Sequence, residues 1–117
     1  MTNKRMTGSC YEELAAAFLT RQGYQILERN FYCRQGEIDL IARDGRYLVF
    51  VEVKYRKSGR SGAPAEAVNT RKQRRMSHAA RYYLFSHGYP EETPCRFDVA
   101  AIQGAEIRLY KDAFWMG

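Results

Sequence analysis

The chain has 117 residues, 45% hydrophobic and 14% aromatic, which gives one domain with a single core and excludes a disordered or low-complexity protein. Its 19 Lys and Arg against 13 Asp and Glu leave a net charge of +6, which suits a polyanionic partner but is also ordinary among soluble proteins. Cys10, Cys33 and Cys95 are odd in number and form no CxxC, which argues against a zinc knuckle or disulfide framework; no secretory signal or membrane span is visible, so a reducing cytoplasm is the expected location.

Residues 8–22 read as a helix, with Ser9 as N-cap and Glu12 placed to complete a capping box. Tyr11, Leu14, Ala15, Phe18 and Leu19 form its apolar stripe. With about 100° between successive residues, Glu12 falls at the border of that stripe and Glu13 on the outer side. Glu12 is therefore the acid that can look toward a sheet, and the capping box is its alternative role. Gln22-Gly23 ends the helix.

A strand over 25–33 leads through Arg34-Gln35-Gly36 into two more, 37–43 and 46–56. Between the latter stands Asp44-Gly45, a dipeptide suited to a two-residue type I′ hairpin turn. With those two as the loop, Asp39 faces Phe50 and Glu37 faces Glu52, and Glu37, Asp39, Glu52 and Lys54 share one face. Carboxylates among apolar neighbours must be paired, neutralised or bound to metal. Asp39 and Glu52 are then diagonal neighbours, near enough to share one hard cation such as Mg²⁺ or Mn²⁺, with Lys54 at its edge. The alternative is an ion-pair ladder in which Lys54 neutralises Glu52; three acids against one lysine weigh toward a cation.

Residues 57–63 carry glycines, serines and charges but no core residue, and are expected to form a mobile loop. A second helix is predicted from Pro64 to Ser86, with Ala65, Val68, Lys72, Met76, Ala79 and Tyr83 facing inward. Lys72, the exception on that stripe, either snorkels outward or reaches a bound phosphate. Arg71, Arg74 and Arg75 beside it are a nucleic-acid contact or a solvated face. His78 and His87 lack metal-ligand spacing and are placed on the surface. Strands follow at 96–102 and 105–110, turning near Gln103-Gly104, and the aromatics of the 113–117 tail are expected to dock on the sheet. Asp98, an acid in an apolar strand, is explained most simply by pairing with Arg96 or Arg56.

The order helix, three strands, helix, two strands, with Asp39 followed by Glu52-Val53-Lys54, resembles the PD-(D/E)XK nuclease core, the restriction-endonuclease-like fold shared with Holliday junction resolvases. More closely, Glu12-Glu-Leu-Ala-Ala16, Gly36-Glu-Ile-Asp-Leu-Ile-Ala42, Val49-Phe-Val-Glu-Val-Lys54, Pro64-Ala-Glu-Ala-Val68 and Arg96-Phe-Asp98 resemble the YraN family of small bacterial proteins over nearly the whole chain. An isolated ExK is weak; the two long motifs at this separation are specific. The resemblance implies an α/β, three-layer domain over 1–117, with a mixed sheet of about five strands flanked by two helices. It also implies that Asp39 is the first acid, Glu52 the second, Lys54 the lysine and Glu12 the helix-one acid. Ile38 stands where many members have proline, a substitution common among resolvase-like ones.

The function so implied is Mg²⁺- or Mn²⁺-dependent hydrolysis of phosphodiester bonds in nucleic acid, branched DNA included. Asp39, Glu52 and the Val53 carbonyl would hold the ion, Lys54 would orient water or stabilise developing charge, and Glu37 would stand behind the ligands. Arg56, Lys57, Arg60, Arg71, Lys72, Arg74 and Arg75 would hold the phosphate backbone. The expected partner is nucleic acid, DNA ahead of RNA, with no membrane association and a homodimer compatible. Two rivals stand beside this: a non-catalytic nucleic-acid-binding domain, and an adaptor whose carboxylate face grips a basic protein.

Overall fold

The computed structural model describes residues 8–56 and 68–115. Helix α1 spans Gly8–Arg21; strands β1, β2 and β3 span Gln25–Cys33, Gly36–Asp44 and Tyr47–Arg56; helix α2 spans Thr70–Ser86; β4 and β5 span Cys95–Gln103 and Glu106–Phe114. The expected element order and the α/β class are both present. The sheet runs β1-β2-β3-β4-β5, antiparallel except for the parallel pair β3 and β4, between which α2 lies in sequence. A parallel pair requires such a long crossover. Among the described residues no helix is long and apolar enough to cross a membrane.

The run Leu48-Val-Phe-Val51 explains the layering. Leu48 and Phe50 join Met76, Ala79 and Tyr83 of α2, whereas Val49 and Val51 join Ala15, Ala16 and Leu19 of α1. All four strand residues are fully buried, and each such side chain stabilises the fold by about 1.5–3 kcal/mol. This is the continuous apolar pattern of a strand covered on both faces. It also directs Glu52, two residues beyond Phe50, toward α2.

The hairpin between β2 and β3 forms in a different register from the one expected. Asp44 pairs with Tyr47 and Ile41 with Phe50, so the loop is Gly45-Arg46, with Gly45 at φ +63. Glycine at the first loop position and no positive φ at Arg46 fit a type II′ turn. Asp44 is kept in the strand by an ion pair with Arg96 of β4 at 3.0 Å. The displacement is two residues, and an even slip keeps Ile41, Leu48 and Phe50 on the α2 face and Leu40, Val49 and Val51 on the α1 face; the alternation breaks between Leu40 and Ile38, which joins the α2 side.

Three further boundaries differ. Helix α1 begins at Gly8, ahead of Ser9, and Glu12 lies beyond its first turn, so the capping box gives way to the sheet-facing reading of Glu12. Leu14, assigned to the apolar stripe, is exposed. Helix α2 starts at Thr70, where the side chain of Asn69 accepts a hydrogen bond from the Lys72 N–H at 2.8 Å, an N-cap that satisfies one of the helix's otherwise unpaired donors. Val68 is buried but precedes the helix, and the expected loop at 57–63 and the helix segment 64–67 lie outside the described residues. At the other end, β5 extends to Phe114, which stacks on Phe97 at 4.8 Å, while Trp115 stays 79% exposed.

Gly36, between β1 and β2, touches the backbone of α2. A Cβ there would stand 2.8 Å from the Arg75 carbonyl oxygen. The absence of a side chain lets this strand end close onto the helix, which places Asp39 and Lys72 on either side of one cavity.

Candidate functional site

Four elements bring acid and base together. A cavity of about 300 Å³ is lined by Tyr11 and Glu12 of α1, Asp39 of β2, Glu52, Val53, Lys54 and Tyr55 of β3, and Lys72 of α2. The β2 and β3 ladder ends at Leu40 and Val51, and the next residues outward are Asp39 and Glu52. Beyond that point the Val53 N–H donates to Asp39 Oδ2 at 2.8 Å, a carboxylate standing where a main-chain carbonyl would continue the ladder. The convergence of Glu12, Asp39, Glu52 and Lys54 that the hairpin parity and helical phase predict is therefore present.

Glu52 is a buried acid that the described residues satisfy only in part. It is only 5% exposed, and among the described residues its Oε1 has no hydrogen-bond partner. Lys72 Nζ lies 3.7 Å from that oxygen, within ion-pair reach but long for a hydrogen bond. Burial, followed by the charge of Asp39, pushes the Glu52 carboxyl up to about 7, against the pull of Lys72 and Lys54. Burial also raises Asp39, with the Val53 N–H and Lys72 opposing, and its carboxyl lies in hydrogen-bonding reach of Glu52. Glu12 is raised by burial and by Asp39, and is partly held by a hydrogen bond from Asn30. A set of acids that resists ionisation together is what a bound cation relieves, releasing protons as it binds.

Among the described residues no group of three or more His, Cys, Asp or Glu gathers closely enough to hold an ion unaided. Two carboxylates and a nearby main-chain carbonyl, as at Asp39, Glu52 and Val53, suit Mg²⁺, which keeps several waters and takes substrate phosphate as well. The donor set and the unpartnered oxygen of Glu52 fit such an ion.

The remaining expected residues sort by position. Glu37 is half-buried, does not line the cavity, and acts on Glu12 and Asp39 through its charge. Arg56 is half-buried at the end of β3; Arg71, Arg74 and Arg75 are exposed on α2; Lys57 and Arg60 lie outside the described residues. Lys72 points into the site, and the ion pair with Glu52 that the alternative reading gave to Lys54 is made by Lys72. Asp98 is satisfied structurally: it is fully buried and accepts from Arg96 Nε at 3.0 Å, the Tyr24 hydroxyl at 2.8 Å and the Asp112 N–H at 2.9 Å. Its partner is thus Arg96, one of the two that the sequence offered.

Three site residues escape sequence reasoning. Tyr11 and Tyr55 stack with ring centroids 4.1 Å apart at the cavity wall, tying α1 to β3. Asn30 takes φ +53 within β1 and holds Glu12. Asparagine is rare in strands and tolerant of left-handed backbone, and that was the available signal.

Comparison with known proteins places the sequence in a family. Residues 11–102 match the Uncharacterised protein family UPF0102. A UPF0102 protein of Lachnoclostridium phytofermentans is 54% identical over 112 residues, covering 96% of this chain and 95% of the relative. One from Syntrophus aciditrophicus is 48% identical, covering 97% and 92%, and one from Photobacterium profundum is 50% identical, covering 92% and 86%. These names state no activity.

Proposed function

The chain belongs to the uncharacterised protein family UPF0102, and we propose that it hydrolyses phosphodiester bonds in nucleic acid with a divalent cation held by Asp39, Glu52 and the main-chain carbonyl of Val53. The observation that carries this reading is the buried Glu52 oxygen without a hydrogen-bond donor among the described residues, beside a second carboxyl whose ionisation is also opposed. An unsatisfied buried polar group costs about 1–3 kcal/mol, and more when charged. A fold whose total stability is about 5–15 kcal/mol retains that cost where a ligand repays it.

Mg²⁺ or Mn²⁺ suits hard oxygen donors, and when bound it supplies Lewis-acid polarisation of a phosphoryl oxygen and a more acidic water. Lys54, on the same cavity wall, offers its ammonium to the charge that develops on the phosphate or orients the attacking water. Glu12 adds a third carboxyl, positioned by Asn30, that can accept a proton. Lys72, paired with Glu52, would with a cation bound be free to offer its ammonium to a phosphate oxygen. Arg71, Arg74 and Arg75 hold the backbone electrostatically, a mode that reads shape more than sequence. DNA ahead of RNA, branched DNA included, is the substrate on this reading. The free thiols of Cys33 and Cys95 accord with work in the cytoplasm.

The Lys72–Glu52 ion pair favours a second reading, a non-catalytic nucleic-acid-binding domain in which lysine stands in place of the cation. Cleavage assays separate the two. The purified protein is incubated with labelled branched, single-stranded and duplex DNA and with RNA, in Mg²⁺, Mn²⁺ or EDTA. Metal-dependent cutting that disappears in Lys54→Ala supports hydrolysis; binding without cutting in either metal supports the second reading.

A further inference from the structure

The outer face of α2 carries a ridge that the catalytic reading does not use in full. Arg71, Arg74, His78, Arg81 and Phe85 alternate by three and four residues, lie on one side of the helix and are all exposed. The helix contains no Asp or Glu. At about 1.5 Å per residue, the ridge runs for about 21 Å from a point next to Lys72 to the end of the helix.

Each end of this ridge presents an uncovered aromatic ring beside a cleft. Phe85 is 82% exposed, at a cleft of about 290 Å³ that it shares with Arg81, Tyr89 and Glu91. Trp115 is 79% exposed, at a cleft of about 170 Å³ that it shares with Arg74. We infer that the outer face of α2 binds an unpaired stretch of polynucleotide, its phosphates along Arg71, Arg74 and Arg81 and its bases stacked on Trp115 and Phe85.

The charge on the ridge calls for a polyanion, and the rings decide which form it takes. A duplex shows its phosphates and hides its base faces, so cations alone would serve it and the rings would gain nothing. Unpaired bases offer a π-face that aromatic side chains take regardless of sequence. A protein partner fits less well, because the centre of a protein interface is depleted of charge whereas arginines run the length of this ridge. The inference rests on the proposed function in taking nucleic acid as substrate, and deepens it: the strand delivered to Asp39 and Glu52 is single-stranded, or leaves a duplex as an unpaired tail.

Binding in EDTA tests this without cleavage. Affinities of a labelled oligothymidylate, an oligouridylate and a duplex of the same length are measured for the wild type and for Phe85→Ala and Trp115→Ala. Both rings are exposed, so melting temperatures should stay unchanged, and they are recorded as the control for folding. The expected result is single-strand binding weakened about tenfold by each replacement, on DNA, RNA or both, with duplex affinity within about twofold of wild type. The inference is overturned by a wild type that binds no single strand, by variants that bind single strands as wild type does, or by equal losses on duplex. The proposed hydrolysis can fail separately: a protein that gives the expected pattern but cuts nothing loses the enzyme and keeps the ridge. A protein that cuts, but whose ring variants bind normally, does the reverse.

Discussion

Replacing Glu52 with glutamine should stabilise the metal-free protein at alkaline pH. The carboxyl is raised to about 7, chiefly by burial and by Asp39, so the folded state binds its proton more tightly than the unfolded chain does. The stability that this proton contributes is fully present below the unfolded value of 4.5 and is lost as pH rises through about 7. The difference corresponds to about 3 kcal/mol once the group is ionised. Glutamine has the shape of the neutral acid and cannot ionise. Glu52→Gln should therefore match the wild type near pH 4 and exceed it by about 3 kcal/mol near pH 8, roughly 10 °C in melting temperature for a domain of this size. Urea denaturation in EDTA across that range measures the effect directly. A variant less stable than wild type at pH 8 would refute the reasoning, because it would show that the Lys72–Glu52 pair holds the fold together.

Other outcomes follow from the same geometry. Lys54→Ala should keep metal binding and lose cleavage, whereas Asp39→Asn should lose both, a contrast visible by comparing metal-induced shifts in melting temperature with turnover. Gly36→Ala should cost about 1–3 kcal/mol in denaturant unfolding, because its Cβ meets backbone at Arg75 that cannot swing away. Arg96→Met strands the buried Asp98 carboxylate and should cost about 3–5 kcal/mol, with an unchanged midpoint arguing that the Tyr24 and Asp112 bonds suffice. Neutralising Arg71, Arg74 and Arg75 together should flatten the salt dependence of single-strand affinity, the log–log slope falling by about 0.7 for each phosphate left unneutralised; an unchanged slope would make them a solvated face.

Much of this architecture was legible because alternation and helical phase are written in the sequence. The strand over 46–56 and its acidic end follow from the turn signal and the alternation, and the phase of Glu12 points it at the sheet, as found. The hairpin register was not legible. Asp44-Gly45 is a strong local turn signal, yet Arg96, which is distant in sequence, draws Asp44 into the strand and moves the loop on to Gly45-Arg46. The site survived that error because the slip was even. Lys72 could not be assigned as the partner of Glu52 either, since that pairing depends on how closely α2 approaches the sheet, which Gly36 sets by its closeness to Arg75. Tyr11 with Tyr55, and Asn30 with Glu12, are likewise meetings of distant segments that no local pattern announces.

Calorimetric titration of the protein with Mn²⁺ and with Mg²⁺ at neutral pH, repeated in buffers of different ionisation enthalpy, tests the carboxylate pair as a cation site most directly. The expected result is saturable binding at one site with release of protons, abolished in Asp39→Asn and Glu52→Gln and retained in Lys54→Ala. No binding heat with either metal, together with an unchanged melting temperature, would contradict it and leave the nucleic-acid-binding domain as the reading of this fold.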